Sequence, residues 1–317
     1  MSINRRNFIK LAGAAGAASG LSMAGVSSAQ AKGGHVVVVG GGAGGATCAK
    51  YIRTMDPGVK VTLVEPKKAF ATCFMSNWVI GGLKKQEWIT HSYDKWSEKY
   101  GITVVHDTAT DIDADAKVVK TAGGLNLNYD RCVISPGIDF RYDQMEGYDA
   151  AAAEKVPHAW QAGPQTATLR KQLEEMKDGG LFVICPPPNP FRCPPGPYER
   201  VSLVANYFKN HKPKSKILVL DAKDRFSKQG LFTAGWEQHY GYGTDDSMIE
   251  WRPKSNDGLV RAVDADKRMV MTEFEEIEAD VLNFVPAQKA GKIAHVAGCA
   301  DDSGWCPVDH LTWESKR

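Results

Sequence analysis

A chain of 317 residues, 43% apolar and 24% charged, is long enough for two domains with buried cores and carries no bias towards disorder. Its formal net charge is +2, and setting aside Arg5, Arg6 and Lys10 of the first 31 residues leaves 36 basic against 37 acidic side chains. That balance offers no basic surface to attract nucleic acid, and no such partner is expected.

Residues 1–31 read as an export signal. Arg5-Arg6-Asn7-Phe8-Ile9-Lys10 is a twin-arginine pattern, Leu11 to Gly25 is a weakly apolar run, and Ala29-Gln30-Ala31 is an A-x-A cleavage site. The run is too short and too rich in glycine for a stable membrane span, and no other segment is long and apolar enough. A twin-arginine leader belongs to chains exported already folded. It implies a periplasmic address and a cofactor loaded inside the cell. The seven cysteines are Cys48, Cys73, Cys132, Cys185, Cys193, Cys299 and Cys306. In an oxidising compartment some can pair, but the odd count leaves one free, modified or paired outside the chain.

A first domain is expected over residues 32–148. Val36–Val39 is a continuous apolar strand of the kind buried on both faces in a parallel sheet. A helix over Gly45 to Met55 ends at Asp56-Pro57-Gly58, and Val61–Val64 is the next strand. Between them lies Gly40-x-Gly42-x-x-Gly45, and Glu65 follows 20 residues after Gly45. Glycines permit a tight turn and close approach of a pyrophosphate to bare backbone. The helix N-terminus favours the charge, and Glu65 can accept from ribose hydroxyls. Such a turn can also exist without a ligand, and the motif alone does not separate FAD from NAD. Ile102–His106 reads as a third strand, Lys117–Thr121 and Leu125–Tyr129 as a hairpin, and Arg131–Ser135 as a further strand closed by Pro136-Gly137. Pro136 and Gly137 join Gly40, Gly42, Gly45 and Glu65 as expected cofactor contacts.

Cys73 comes eight residues after Glu65. With no second cysteine nearby it cannot form a local disulfide. It is either a core thiol or the site of a thioether to a flavin ring.

A second Rossmann-like domain is expected over residues 149–285. After a linker, Thr166 to Lys177 reads as a helix with Leu169, Leu173 and Met176 at helical spacing. Leu181–Cys185 is a strand, a helix runs from about Pro197 to Asn210, and Lys216–Leu220 is the next strand, ending at Asp221. The turn after Cys185 has no glycine fingerprint. It holds Phe191-Arg192-Cys193-Pro194-Pro195-Gly196-Pro197. Prolines lack the N–H groups a pyrophosphate needs, so no NAD(P) is expected and Asp221 carries little weight. Cys193 precedes a helix N-terminus and follows Arg192, two features that lower a thiol pKa. It is read as a reactive thiolate, with an inert thiol or a structural disulfide as the alternatives. Cys48 and Cys132 read as core, while Cys185 and Cys306 stay open. The histidines have no metal-ligand spacing, and no metal is expected. Residues 245–285 alternate short strands and turns, and 286–317 turn back towards the first domain without a clear terminal element.

Taken together, Gly40 to Ala46 with Lys50-Tyr51-Ile52, Thr72-Cys73, Val79-Ile80-Gly81-Gly82, Phe191 to Arg200 and Gly304-Trp305-Cys306-Pro307-Val308-Asp309 resemble the flavoprotein subunit of flavocytochrome c sulfide dehydrogenase. The resemblance implies an α/β chain with two dinucleotide-binding, Rossmann-like domains of the FAD-dependent disulfide-reductase type. It implies FAD bound covalently through Cys73, and Cys193 as one half of a redox disulfide that sulfide attacks. It also implies a c-type cytochrome subunit that takes the electrons. It places a Gly-Asp flavin contact and the partner cysteine in a segment beyond Arg317. The chain is therefore expected to be a fragment or a degenerate member, inactive or poorly folded alone, with Cys299 or Cys306 as substitute partners. The rivals are a sulfide:quinone oxidoreductase of the same fold and a non-catalytic subunit with no working flavin.

Overall fold

The computed structural model describes residues 33–317; the leader expected over residues 1–31 lies outside the described residues. Strand β1 (His35–Val39) is apolar from Val36 onward, as suits a strand with both faces covered. Val37 and Val38 are fully buried. It pairs in parallel with β2 (Lys60–Val64), Val37 opposite Thr62, after crossing through helix α1 (Ala43–Met55). The strands β3 (Ala69–Ala71) and β4 (Thr90–Ser92) form an antiparallel pair. Between them the chain carries Cys73 and the short helix α2 (Ser76–Ile80), which five residues make too short to announce itself by periodicity. Next come β5 (Ile102–Val105), β6 (Ala109–Asp113), β7 (Val118–Thr121), β8 (Asn126–Asn128) and β9 (Arg131–Ile134). The first sheet is parallel in the order β5-β2-β1-β9, and β6-β7-β8 form a separate antiparallel sheet.

The plan repeats after β10 (Ile138–Phe140). Helix α3 (Pro164–Glu175) buries Leu169 and Leu173. It leads to β11 (Leu181–Cys185), helix α4 (Gly196–His211), β12 (Lys216–Leu220), helix α5 (Gln229–Tyr240) and β13 (Ile249–Arg252). Three short strands, β14 (Ala262–Asp264), β15 (Met269–Met271) and β16 (Glu276–Glu278), make an antiparallel sheet before β17 (Val281–Phe284). The second sheet is parallel in the order β13-β12-β11-β17. Helix α5 is the element for which the sequence offers least. Trp236 is its only buried residue, and Gly230 and Gly235 interrupt its apolar face.

Residues after β17 pack against the first sheet. Strand β18 (Gln288–Ala290) pairs antiparallel with β10, Ile138 opposite Ala290. Helix α6 (Lys292–Val296) then places Ile293 in one apolar cluster with Val37, Val39 and Val64. Among the described residues no helix is long and apolar enough to cross a membrane.

Candidate functional site

The turn between β1 and α1 is built by its glycines. Gly40 has φ +99°, and a Cβ there would run into the carbonyl oxygen of Ser135. A Cβ on Gly45 would run into the carbonyl oxygen of Gly40, so this glycine lets the helix sit against the turn. Gly42 differs. The nearest atom to a Cβ there is on Phe70, 3.6 Å away, so its outer side is open. No side chain caps α1, and its first turn has no acid, which leaves the positive end of the helix available to an anion. Glu65 stands at the mouth, its two carboxylate oxygens accepting from the backbone N–H groups of Gly41 (2.8 Å) and Lys67 (2.9 Å). Tyr93 donates its hydroxyl to the Gly41 carbonyl, and burial beside Glu65 raises its pKa beyond the ordinary range. Pro136 packs against the Cα of Gly291, and Gly137, at φ +77°, has open space where a Cβ would lie. These residues fit the pyrophosphate and ribose of a dinucleotide.

Cys73 and Cys193 lie 120 residues apart in sequence, and helix α2 brings their segments together. Cys73 closes the turn into α2, its carbonyl accepting from the Ser76 hydroxyl at 2.9 Å. One residue into that helix, Asn77 donates to the carbonyl of Gly196 (3.2 Å) and to the carboxylate of Glu199 (2.8 Å), both in the first turn of α4. Cys193 is exposed and holds a left-handed φ of +61°, a conformation that a non-glycine residue keeps only when its neighbours enforce it. They do so from both sides. Trp160 donates its indole N–H to the Arg192 carbonyl (3.1 Å), and the Arg192 N–H donates to Gln288 Oε1 (2.9 Å). A Cβ on Gly196 would lie 2.9 Å from Trp160 and 3.1 Å from Cys193 Sγ. Gln288 Nε2 is buried beside this loop with no partner among the described residues, a donor available to a bound group.

The thiol of Cys193 departs from expectation. Its pKa is raised rather than lowered, first by partial burial and then by the facing carboxylate of Glu199; the Gly196 N–H pulls it back, and the charges of Cys73 and Arg192 contribute less. Arg192 gives so little help because its guanidinium is hydrogen-bonded to the carbonyl of Trp160. The thiolate is therefore not preformed. It is held back by partial burial and by the negative charge of Glu199.

Beneath this loop lies Arg200, which is 1% exposed. It donates to Asn77 Oδ1 (2.9 Å), Asn283 Oδ1 (2.7 Å) and the carbonyls of His158 (2.9 Å) and Ala159 (2.8 Å), and lies over the Trp160 ring at 4.9 Å. Burial brings its pKa down to about 9 against the opposing pull of Glu199 and Cys193. The neighbouring His158 is 3% exposed, and its Nδ1 accepts from the Trp160 N–H at 3.0 Å. Burial, then Arg200 and Arg192, pushes its pKa down to about 3. The folded state thus holds this imidazole neutral, while the unfolded chain protonates it near 6.5. Stability from this residue is complete above pH 6.5 and is lost as pH falls towards 3, with a limiting slope of about 1.4 kcal/mol per pH unit. Thermal melts between pH 7 and pH 4 should show that loss, and His158→Gln should flatten it.

In the second domain, Asp221 is not the idle remnant that the sequence suggests. It is fully buried and accepts from the Tyr198 hydroxyl (2.6 Å), the Trp251 indole (3.0 Å) and the Lys223 ammonium (2.6 Å). A cavity of about 310 Å³ opens at the carboxyl ends of β11, β12 and β17, bordered by Cys185, Pro186, Pro187, Leu220 and Phe284, and away from Cys193. All seven cysteines are free thiols; Cys185 is buried, and Cys48, Cys132, Cys299 and Cys306 are half-buried. Among the described residues no group of three or more His, Cys, Asp or Glu is arranged to hold a metal ion. Asn77, Trp160, Glu199, Arg200 and Gln288 are members of the site that sequence reasoning did not single out.

Comparison with known proteins bears on the family and the fold. Residues 166–286 match the central-domain model of the sulfide dehydrogenase (flavocytochrome c) flavoprotein chain. Residues 34–176 match the pyridine nucleotide-disulphide oxidoreductase model, and residues 2–22 the TAT (twin-arginine translocation) pathway signal sequence. That signal addresses the chain to the periplasm by the twin-arginine route. Over 293 residues the chain is 23% identical to the mitochondrial sulfide:quinone oxidoreductase of Mus musculus, covering 89% of this chain and 63% of that one. The solved structure of the sulfide:quinone oxidoreductase from Aquifex aeolicus superposes with a TM-score of 0.69 at 21% identity, over 86% of this chain and 63% of that one. At that identity the likeness shows the fold, that of FAD-dependent disulfide oxidoreductases, and the chain spans about 63% of the length of both relatives. Over 43 residues it is 68% identical to the sulfide dehydrogenase (flavocytochrome c) flavoprotein chain of Chlorobaculum thiosulfatiphilum, a stretch that is 14% of this chain and 90% of that sequence. The chain belongs to this family of sulfide-oxidising flavoproteins, the flavoprotein chains of flavocytochrome c sulfide dehydrogenase.

Proposed function

We propose that this chain oxidises sulfide in the periplasm, with Cys193 as the sulfide-reactive thiol and FAD held in the cradle of Gly40, Gly42, Gly45, Glu65, Pro136 and Gly137. Cys73 is the point of covalent attachment. Bound there, FAD would supply a two-electron acceptor between the thiol and an outside carrier. The observation that carries this reading is the tie through Asn77, which joins the Cys73 segment to the helix that follows Cys193. The chain's own part is to hold Cys193 at the surface in a fixed conformation. It places the buried charge of Arg200 beneath, where it favours an anionic sulfur against the opposing charge of Glu199.

The second dinucleotide position offers NAD(P)H nothing. Its turn is filled by prolines, and Asp221 is engaged by donors from Tyr198, Lys223 and Trp251. The electrons pass to a c-type cytochrome subunit, in keeping with the family. A quinone acceptor is the second reading, favoured by similarity to a sulfide:quinone oxidoreductase along 89% of the chain.

In anaerobic solution, sulfide should bleach the flavin of the purified protein, and NADH or NADPH should leave it oxidised. Fast bleaching by NADH would overturn the reading. Acid precipitation should leave the yellow colour in the pellet, and Cys73→Ala should move it to the supernatant; colour in the wild-type supernatant would exclude the covalent bond. Turnover with cytochrome c against a soluble quinone separates the two acceptors.

A further inference from the structure

In a dinucleotide-binding domain, the acid at the end of the second strand is an acceptor for ribose hydroxyls. Asp221 occupies that position at the end of β12; besides the Trp251 indole it holds Tyr198, in the helix after Cys193, and Lys223, which reaches the stretch before it. On one side is Tyr198, five residues after Cys193 in α4, whose hydroxyl reaches Asp221 Oδ2 at 2.6 Å. Its ring stacks on Phe226 with centroids 3.7 Å apart, so it cannot swing away without opening the core. On the other side is Lys223. Its ammonium contacts Asp221 Oδ1 at 2.6 Å, donates to the carbonyl of Pro187 at 2.8 Å, and lies 5.2 Å from the centre of the Phe191 ring. Pro187 and Phe191 belong to the stretch that leads into Cys193.

We propose that Asp221 is a positioning residue for Cys193: acting through Lys223 and Tyr198, it clamps both flanks of the loop and holds the cysteine in its left-handed conformation. A strained φ at a non-glycine residue persists only where several contacts enforce it, and this carboxylate is the point where the contacts on the two flanks meet. The charged pair is buried, with side-chain exposures of 11% for Lys223 and 0% for Asp221, so it is neither screened by salt nor exchanged with water. The acceptor that would have bound a second cofactor instead shapes the thiol loop. The proposal rests on the reading of Cys193 as the reactive thiol.

The test is the rate at which iodoacetamide alkylates Cys193 in the purified flavin-loaded protein, followed by peptide mass spectrometry with buried Cys185 as the internal control for folding. Lys223→Met and Asp221→Asn should release the loop and speed alkylation of Cys193 by roughly fivefold or more while Cys185 stays protected. Lys223→Arg, which keeps the charge and a donor for Pro187, should restore the wild-type rate. Unchanged alkylation of Cys193 in Lys223→Met would overturn the proposal, and so would Cys185 opening in step with Cys193, which marks a general loss of structure. If Asp221→Asn does not fold, the two Lys223 variants decide. Because alkylation needs no sulfide, a chain whose thiol ignores sulfide would defeat the proposed function and leave the clamp standing.

Discussion

Cys193→Ser is expected to end sulfide-driven bleaching of the flavin while leaving flavin content and melting temperature as in the wild type. The substitution changes one surface-reaching atom, so the packing of Trp160 and Gly196 around it is kept. It replaces a sulfur that ionises and exchanges disulfides by a hydroxyl that does neither at neutral pH. Removing a covalent nucleophile costs roughly a thousandfold or more in rate. Stopped-flow measurement of flavin absorbance under anaerobic sulfide reads the effect directly. Bleaching within tenfold of wild type, a drop worth only about 1.4 kcal/mol of barrier, would move the chemistry to Cys185 or Cys306. Glu199→Gln sharpens the test. Removing the facing carboxylate should lower the Cys193 pKa and shift the onset of reaction to lower pH.

The second large effect is expected at the glycine turn, where two single-methyl changes should part company. Gly45→Ala puts a Cβ into the carbonyl oxygen of Gly40, so α1 must move off the turn. Overpacking of this kind costs about 1–3 kcal/mol or more, and the cradle moves with it, so both melting temperature and flavin content should fall. At Gly42 the added methyl would have 3.6 Å to its nearest neighbour and meet no backbone. Gly42→Ala should therefore keep the wild-type melting curve of the flavin-free chain and lose flavin alone, because its methyl occupies the open side that a pyrophosphate approaches. Equal losses of stability in both variants would show that the turn is purely structural.

What was legible in the sequence follows from how far apart the interacting residues lie. The strands β1, β2, β11 and β12 are predominantly apolar runs, and Gly40, Gly42, Gly45 and Glu65 form a local pattern, so both sheets and the first turn can be read without a structure. The surroundings of Cys193 come from positions 77, 160, 199, 200 and 288, and no local pattern joins them. Arg192 does lower the thiol pKa, but burial and Glu199 outweigh it, and its guanidinium is held by a carbonyl 32 residues away. One signal was present. Arg200 lies on the face of α4 that carries Val204 and Phe208, and a charged residue on a buried stripe marks a site held by its own set of acceptors. Asp221, directly after four buried strand residues, is a second case.

The pairing of β10 with β18 joins residues 138 and 290, and helix α6 closes over the first sheet from the same late stretch of chain. On a ribosome adding about 5–20 residues per second, the glycine turn therefore emerges on the order of ten seconds before the strand and helix that finish its domain. Throughout that interval the cradle is open on one side. Contacts of such long sequence separation also form slowly once the chain is released. For a chain exported by the twin-arginine route, that late pairing must form before it leaves the cytoplasm.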